Sequence, residues 1–334
     1  MATHRITSSF VVLSCLAASV AVAADGSQER RGASPQTIVS NTGDVLFVER
    51  GGPQGYDSFD GTAPQGMADD SAAEFASEEL TAQEVWDLVL REAKTANIGR
   101  ESVIGSDNRT KVNPTTVFPA RAIGQITFTQ RGGNFICSGW LVNKNTVVTA
   151  GHCVHEGGTG SASGWSSNVR FYPGRNGASN PYGSCSATRL FSVNGWVNSG
   201  SEEYDYGAFK LNCNIGNTTG YLGFWWQAAS LVGTEATPQG YPGDKPSGTQ
   251  WKHSRTVAAV STRQTFYQAD TAGGQSGCPV LDINRTGSFC TGQCAHTIHA
   301  YGLHGGSPHS TNNHGTRITQ SVFNNIQTWK NTAP

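Results

Sequence analysis

Residues 270–280 read DTAGGQSGCPV and carry the strongest chemical signal in the chain. Gly273 and Gly274 precede Ser276 and Gly277 follows it, so the backbone can form the tight turn that exposes a serine hydroxyl. The same turn directs the backbone amides of Gly274 and Ser276 toward one point, where they could stabilise an oxyanion. A glycine-rich turn can also be only a turn, so a nucleophilic role for Ser276 requires partners elsewhere in the chain.

Two upstream motifs offer those partners, in the order His, Asp, Ser. The motif TAGHC places His152 at the end of a β-rich run, beside Cys153, where a fixed general base is expected. His155 is a nearby rival, but it lies outside that motif. The motif YDYGAFKL places Asp205 just before an apolar strand, which suits a buried carboxylate that orients an imidazole. Together the motifs predict a catalytic triad of His152, Asp205 and Ser276.

The chain from residue 102 onward consists of short β-rich runs separated by Gly, Ser, Asn and Pro. This spacing predicts an all-β sandwich or barrel. The runs are AIGQITFT (122–129), FICSGWLV (135–142), TVVTA (146–150), VRFYP (169–173), GAFKL (207–211), TFYQA (265–269) and CPVLDI (278–283). In the last segment, residues 319–331, the spacing of Val322, Ile326 and Trp329 predicts a terminal helix with one face packed on the body.

The N-terminal third of the chain differs in composition from the remainder. Residues 1–24 combine a short apolar core with small residues, which predicts a signal peptide and an exported, extracellular product. No later segment is apolar enough to span a bilayer. Residues 25–101 carry fifteen acidic and six basic side chains, a net charge of −9, whereas residues 102–334 carry nine and sixteen, a net charge of +7. This division predicts different roles for the two segments.

The acidic segment itself is predicted to have little structure. Residues 25–80 are rich in Gly, Ser, Ala, Asp and Gln, which predicts an extended or weakly folded chain. Thr81 and Glu84 then form a capping-box pattern, and residues at helical spacing continue to Glu92, so one helix is expected there.

Export places the cysteines in an oxidising compartment. Seven of the eight remain once Cys15 leaves with the signal peptide, so at most three disulfides form and one thiol stays free. The pairs that we favour are Cys137–Cys153, Cys185–Cys213 and Cys290–Cys294, which leave Cys278 free. An alternative is a zinc site that joins Cys290 and Cys294 to His296 and His299. Because exported cysteine pairs usually oxidise, we predict neither a metal nor a required cofactor.

The three motifs TAGHC, DYGAFKL and GGQSGCP resemble those of the trypsin-like serine endopeptidases. SVIGSDNRTKV (102–112) and DTAGGQSG (270–277) narrow the resemblance to the secreted glutamyl endopeptidases. It implies two perpendicular six-stranded β-barrels with the active site between them, preceded by a removable propeptide. It also implies that His152 is the general base, that Asp205 orients it and that Ser276 is the nucleophile. The oxyanion amides are then those of Gly274 and Ser276.

The resemblance covers residues 102 to 334 and implies the domain boundaries. The expected segments are a signal peptide (1–24), an acidic propeptide (25–101) and a peptidase domain (102–334), with barrel one at about 102–222, barrel two at about 223–318 and the C-terminal helix at 319–331. One position departs from many animal members, in which an aspartate before the nucleophile pairs with the new N-terminus after activation. Here that position is Gln275, so control of the zymogen must differ.

Cleavage after Glu, and less readily after Asp, is implied by the same resemblance. Its specificity residues fall on Thr271 and His299, whose hydroxyl and imidazole can donate hydrogen bonds to a carboxylate. A competing interpretation is Lys/Arg specificity set by Asp270, six residues before Ser276. Composition favours glutamate, because residues 102–334 contain only four Glu, whereas the shorter segment 25–101 contains eight.

Two further expectations concern maturation and partners. The predicted maturation bond is Glu101–Ser102, which a Glu-specific enzyme could cut itself. Because Arg100 lies one residue earlier, cleavage nearby by a separate protease specific for basic residues stays an alternative. The charge division predicts that the propeptide docks on the basic body as an intramolecular inhibitor. We expect polypeptide substrates, a monomer, and no nucleic-acid or membrane partner. A different class, a weakly active binding or virulence-type homologue that keeps the triad, stays open.

Overall fold

The computed structural model describes residues 34–46, 101–287 and 290–334. The predicted signal peptide, the capping-box helix and the rest of the acidic segment lie outside the described residues. The strands are β1 Ile38–Ser40, β2 Val45–Leu46, β3 Thr110–Lys111, β4 Ile123–Gln130, β5 Gly133–Leu141, β6 Thr146–Thr149, β7 Ser167–Pro173, β8 Cys185–Val193, β9 Gly207–Leu211, β10 Gly223–Phe224, β11 Glu235–Gly240, β12 Trp251–Lys252, β13 Arg255–Val260, β14 Gln264–Tyr267, β15 Pro279–Thr286, β16 Thr291–Tyr301 and β17 Asn313–Arg317. The α-helices are α1 Asn194–Val197, α2 Gly216–Thr219 and α3 Gln320–Asn331.

Barrel one is closed by six strands in the order β8-β7-β4-β5-β6-β9, with β9 pairing back onto β8. Its first hairpin, β4–β5, is joined by Arg131 and Gly132, which have φ angles of 50° and 74°. Two positive φ angles in a two-residue turn match the right-handed twist of the strands. The barrel interior is apolar and includes the fully buried rings of Phe171 and Phe209, whose centroids lie 6.4 Å apart.

Barrel two is closed by the six strands β16, β17, β14, β13, β11 and β15, with β15 pairing to both β11 and β16. Every pairing within this ring is antiparallel. Tyr267 and Val280 are fully buried inside it. The prediction of an all-β chain with two six-stranded barrels of the trypsin-like fold is therefore confirmed.

The C-terminal helix α3 is also confirmed, and it begins one residue later than predicted because Thr319 is its N-cap. The Thr319 hydroxyl accepts a hydrogen bond from the Val322 amide at 3.4 Å. Ile326 and Trp329 are fully buried, and the Trp329 ring lies 5.7 Å from that of Tyr206. The helix therefore covers barrel one, as its amphipathic pattern predicts.

The N-terminal hairpin formed by β1 and β2 corrects one expectation. Residues 25–80 were expected to be extended or weakly folded, yet Ile38, Val39 and Ser40 pair with Val193, Ser192 and Phe191 at the edge of β8. Ile38 is fully buried in the core that includes Phe191 and Trp329. The composition of the whole segment is polar, but this short run, TIVS, is enough to add a strand along the end of β8, which is open there because β7 pairs only with Cys185 and Ser186.

We expect the substitution Ile38→Ala to lower the free energy of unfolding by about 2–4 kcal/mol, because it leaves a cavity in a packed core. Urea unfolding of the full chain carrying Ser276→Ala measures this. Val45→Ala in the same hairpin is the matched control: Val45 is 50% exposed, and the change should stay within about 0.5 kcal/mol. Equal effects of the two substitutions would show that the hairpin is not docked.

The structure contains disulfides between Cys137 and Cys153, Cys185 and Cys213, and Cys290 and Cys294. Among the described cysteines, Cys278 alone forms no disulfide, and it is buried. The alternative zinc site at Cys290 and Cys294 is wrong for this structure, because both sulfur atoms are bonded to each other. Among the described residues, no helix has the length and apolarity needed to cross a membrane.

Candidate active site

The turn that carries Ser276 requires glycine on both sides. Gly274 and Gly277 have φ angles of 97° and 83°, in the region that only glycine adopts without strain. A Cβ on Gly277 would lie 2.0 Å from the Thr149 hydroxyl oxygen, and one on Gly274 would lie 2.7 Å from the Tyr241 carbonyl oxygen. Gly274 and Gly277 are therefore required by backbone conformation and by close packing, whereas a Cβ on Gly273 would meet nothing nearer than Glu101 Oε2 at 3.9 Å.

Hydrogen bonds to barrel one hold this turn in place. The Ser138 amide donates to the Ser276 carbonyl at 2.8 Å, and the Ser138 hydroxyl donates to the Gly274 carbonyl at 2.8 Å. The Gly277 amide donates to the His299 carbonyl at 2.7 Å, which fixes the turn against β16. The serine is thus held between the two barrels rather than on a mobile loop tip.

His152 and Asp205 form a two-point contact. The His152 backbone amide donates to Asp205 Oδ1 at 2.8 Å, and its ring Nδ1 lies 2.7 Å from Asp205 Oδ2. Because a carboxylate only accepts, Nδ1 carries the proton and Nε2 presents a lone pair. Asp205 is fully buried, whereas the His152 side chain is 29% exposed. The pair can therefore take up a proton at Nε2 at the edge of the cleft.

The rival histidine, His155, has a structural role. Its Nδ1 accepts from the Gly157 amide at 2.9 Å, so its Nε2 carries the proton and donates to the Ser163 carbonyl at 2.7 Å. Both ring nitrogens are used within one loop, and burial lowers the pKa of this imidazole. His155 therefore has no nitrogen left for catalysis.

Tyr301 is a residue beside the site that the motifs did not reveal. Its ring lies 5.9 Å from the His152 ring and closes one side of the imidazole. Burial and the neighbouring Asp205 charge raise its pKa well above the usual range, so the phenol stays protonated. Its place in the strand segment IHAYG was visible in the sequence, but nothing in the pattern indicated which way its ring would point.

The two predicted specificity residues are buried close to the nucleophile turn. The hydroxyl of Tyr267 lies 2.5 Å from His299 Nδ1, and burial raises the pKa of this phenol well above its usual range. The phenol therefore donates to Nδ1, and His299 Nε2 carries the proton. Within the described structure, His299 Nε2 and the Thr271 hydroxyl are buried without hydrogen-bond partners. Burial lowers the pKa of His299 to about 3, so the ring is neutral at neutral pH.

Asp270, which would set the competing Lys/Arg specificity, already accepts hydrogen bonds at both carboxylate oxygens. Its Oδ1 accepts from the Ile104 amide at 2.9 Å and its Oδ2 accepts from the Asn108 amide at 2.8 Å. Its Oδ2 also lies 3.0 Å from His253 Nδ1, and the side chain is almost completely buried. The carboxylate thus anchors residues 104–108 to barrel two and has no open face toward a substrate.

Glu101, at the predicted maturation bond, lies in the site itself. The Ser276 hydroxyl donates to its carboxyl group. Enclosure of that group raises the pKa of Glu101, while the hydroxyl and backbone amide of Ser276 and the charge of His152 act in the opposite direction. An anion at this place is what the predicted oxyanion amides are expected to receive. The side chain of Glu101 therefore occupies the reacting centre.

The chain just after that bond is anchored on barrel two, and Gln275 takes no part in it. The Ser102 amide donates to Asn313 Oδ1 at 2.9 Å, and the Asn313 amide group donates back to the Ser102 carbonyl at 2.6 Å. The Thr271 amide adds a bond to the Ser102 carbonyl at 3.2 Å. Gln275 is buried and uses its Oε1 to accept from the Ala272 amide at 3.0 Å. Its role is to close the nucleophile turn.

These features define a class of protein, and sequence comparison agrees. The profile of the family described as "Trypsin" matches residues 107–326. The chain therefore belongs to the trypsin family, and it is a serine endopeptidase that acts on polypeptides.

Individual relatives indicate which serine endopeptidases this chain resembles. The glutamyl endopeptidase of Bacillus licheniformis is 47% identical over 233 residues, which cover 70% of each chain. The protein named extracellular metalloprotease of Bacillus subtilis is 38% identical over 327 residues, which cover 96% of each chain. Among solved structures, a Glu endopeptidase in complex with MPD matches with a TM-score of 0.60 and 34% identity, covering 69% of this chain and all of that one. The resemblance to glutamyl endopeptidases is thereby confirmed.

Proposed function

We propose that the protein is a secreted glutamyl endopeptidase that cleaves after Glu, and less readily after Asp, through an acyl-enzyme on Ser276. His152 Nε2 takes the proton of the Ser276 hydroxyl as that oxygen attacks the peptide carbonyl, and later returns a proton to the leaving amine. Asp205 holds the imidazole in the tautomer that this requires. The amides of Gly274 and Ser276 stabilise the oxyanion. The observation that carries the proposal is the two-point contact between His152 and Asp205 beside the glycine-bounded Ser276.

The preference for glutamate is supported by the unpaired groups in the pocket. A buried polar group without a partner costs free energy, so the hydroxyl of Thr271 and the Nε2–H of His299 favour a ligand that accepts hydrogen bonds there. A glutamate side chain supplies two carboxylate oxygens. Lysine or arginine would supply only donors, and Asp270 is already hydrogen-bonded to the backbone. The Lys/Arg alternative therefore lacks an acceptor in the pocket.

We expect His299→Leu and Thr271→Val each to lower kcat/KM for a peptide cleaved after Glu by about 10- to 100-fold, because each removes a hydrogen bond to a charged group. Cleavage after an uncharged residue should change much less. The rate at which a fluorophosphonate labels Ser276 is the control, since the reagent carries no glutamate side chain. Variants that retain the wild-type ratio of Glu to Gln cleavage would rule these residues out as the specificity pocket.

The acidic segment acts in this proposal as an intramolecular inhibitor. Glu101 blocks the Ser276 hydroxyl, and the hairpin β1–β2 docks by strand pairing and by burial of Ile38. The ion pair between Asp44 and Arg189, at 2.5 Å, adds an electrostatic contribution. Residues 25–101, added in trans to the mature enzyme, should inhibit it, and inhibition should survive higher salt because the buried contacts are not screened. If residues 25–101 fail to inhibit the mature enzyme at both low and high salt, the proposed inhibitory role is wrong.

Maturation at Glu101–Ser102 and export complete the proposal. Export is supported by the signal-peptide pattern and by three disulfides in the body. N-terminal sequencing of the mature protein should begin at Ser102, and the Ser276→Ala chain should stay uncut until active enzyme is added. A weakly active homologue would label poorly with a fluorophosphonate. A metalloprotease, as the Bacillus subtilis relative is named, would not label at Ser276 at all.

A further inference from the structure

A second group of titratable side chains lies next to Tyr301, whose ring also neighbours His152. It comprises Glu202, His304, His309 and His314, which we call the His–Glu cluster. Each residue offers one ligand atom, and these four atoms all lie within 4.8 Å of one another. Glu202 Oε2 is 3.1 Å from His304 Nε2 and 3.8 Å from His314 Nε2. The mechanism proposed above uses none of the four.

The hydrogen bonds of two imidazoles use one ring nitrogen of each and leave the other available to a ligand. His304 Nδ1 lies 3.1 Å from the Gly302 carbonyl oxygen, which only accepts, so Nδ1 carries the proton. His304 Nε2 is then a lone pair that faces a carboxylate oxygen, an arrangement that needs a cation or a further proton between them. His309 Nε2 lies 3.2 Å from Gln264 Oε1, which leaves Nδ1 as its ligand atom. Imidazoles that bind metals are commonly fixed in this way through their other nitrogen.

His314 supplies the independent observation that points to a ligand. It is fully buried on β17, and in the part of the chain that the structure describes neither of its ring nitrogens has a hydrogen-bond partner. The ring is held between Phe266 and Tyr301, each with a centroid 5.3 Å away. A buried imidazole without a hydrogen bond costs free energy, and Glu202 Oε2 at 3.8 Å from Nε2 is too distant to supply one, so packing alone explains this position poorly.

We propose that the His–Glu cluster is a Zn²⁺ site. Three imidazoles and one carboxylate form a donor set that suits zinc, whereas calcium and magnesium prefer oxygen ligands. Tetrahedral zinc with bonds of 2.0–2.1 Å places its ligand atoms about 3.3 Å apart. The present separations, of up to 4.8 Å, are longer than that value, and Glu202 and His304 have room to move closer because they are 34% and 29% exposed.

The position of the cluster assigns the ion a structural role. Glu202 belongs to the short turn Glu202–Tyr204 that leads directly into Asp205, and the three histidines belong to barrel two. A zinc ion would therefore join the loop that carries the triad aspartate to the opposite barrel. The Tyr301 ring neighbours both His314 and His152, with centroid distances of 5.3 Å and 5.9 Å. The ion would thus stabilise the position of the loop that carries Asp205 without contacting a substrate carbonyl.

The test uses the full chain carrying Ser276→Ala, treated with a chelator and then titrated with Zn²⁺ in a calorimeter. We expect one Zn²⁺ per chain and a melting temperature that rises with Zn²⁺ concentration. Glu202→Gln and His309→Ala should each weaken binding by at least about 10-fold. Glu203→Gln is the matched control, because Glu203 is the adjacent acid and its carboxylate is 50% exposed. It should bind Zn²⁺ like the parent chain.

Co²⁺ provides a readout that does not depend on stability or activity. Bound at the cluster, it should give the intense visible absorption of a tetrahedral site with nitrogen ligands, and Zn²⁺ should displace it. No Zn²⁺ binding to the chelator-treated chain would overturn the proposal and leave a proton-bridged cluster. Binding that is equally strong in Glu202→Gln and Glu203→Gln would also overturn it. Neither result would alter the assignment of Ser276, which is tested by labelling.

Discussion

Replacing Ser276 with alanine should lower kcat by about 10⁶-fold, the scale found when the nucleophile of a serine protease is removed. The reason is local, because the turn between Gly274 and Gly277 presents no other hydroxyl at the same place. KM should change much less, since the pocket that binds the substrate side chain is untouched. The measurement is steady-state hydrolysis of a peptide with Glu before the cut, with enzyme concentrations high enough to detect the residual rate.

A control guards against a folding defect in that variant. Ser276→Ala, matured by added active enzyme, should unfold in urea with nearly the same midpoint as the mature parent enzyme. It should also fail to react with a fluorophosphonate, while the parent chain labels once. Residual turnover within about 100-fold of the parent would mean that Ser276 is not the nucleophile.

Asp205→Asn should be the second most damaging substitution, with kcat lowered by about 10⁴-fold. Asparagine keeps the size of the side chain, but it can present an amide donor to His152 where the carboxylate accepted. The imidazole can then adopt the wrong tautomer, with its proton on Nε2, and it loses the charge that stabilises the imidazolium. Hydrolysis rates across a range of pH, together with fluorophosphonate labelling, measure the loss.

Asp282→Asn is the matched control for that substitution. Asp282 lies on β15 and pairs loosely with Arg285 at 3.9 Å, away from the triad. We expect its activity to stay within a few-fold of the parent. If Asp205→Asn and Asp282→Asn lose activity equally, orientation of His152 by Asp205 is not the cause.

The sequence is informative about this fold where local chemistry dictates structure. Gly274 and Gly277 are needed for positive φ angles and close contacts, so the glycines on both sides of Ser276 predict a turn directly. The strands β4, β5, β6 and β7 are rich in branched and aromatic residues, and the predicted runs nearly coincide with them. In α3, the spacing of Val322, Ile326 and Trp329 predicts the buried face.

Other strands were missed because the surrounding structure, and not residue preference, makes them extended. β11 reads EATPQG and β17 reads NHGTR, and both contain residues that strands usually disfavour. Each is held by neighbours on both sides within the closed ring of barrel two. The hairpin β1–β2 was missed for a related reason, because its partner strand β8 is distant in the sequence. The Leu190 amide, for example, donates to Asn41 Oδ1 across a separation of 149 residues.

The histidine-rich C-terminal region shows a further limit. His296, His304, His309 and His314 lie on either side of His299, and no motif in the sequence separates their roles. Their separate roles depend on which face of β16 and β17 each ring occupies, and on a glutamate more than a hundred residues upstream. His296, for example, contacts the Glu235 carbonyl at 2.9 Å and belongs to neither site. The positions of these histidines in the sequence do not predict that Glu202 meets three of their rings, because the loop 302–312 follows neither a helical nor a strand pattern of side-chain directions.

The most direct test of the proposed activity is hydrolysis of a peptide series that differs only in the residue before the scissile bond. With the mature enzyme we predict the highest kcat/KM for Glu, a lower value for Asp, and much lower values for Gln, Leu and Arg, all abolished by Ser276→Ala. Faster cleavage after Arg than after Glu would contradict the account of the pocket formed by Thr271 and His299, and turnover that survives Ser276→Ala would contradict the account of the enzyme.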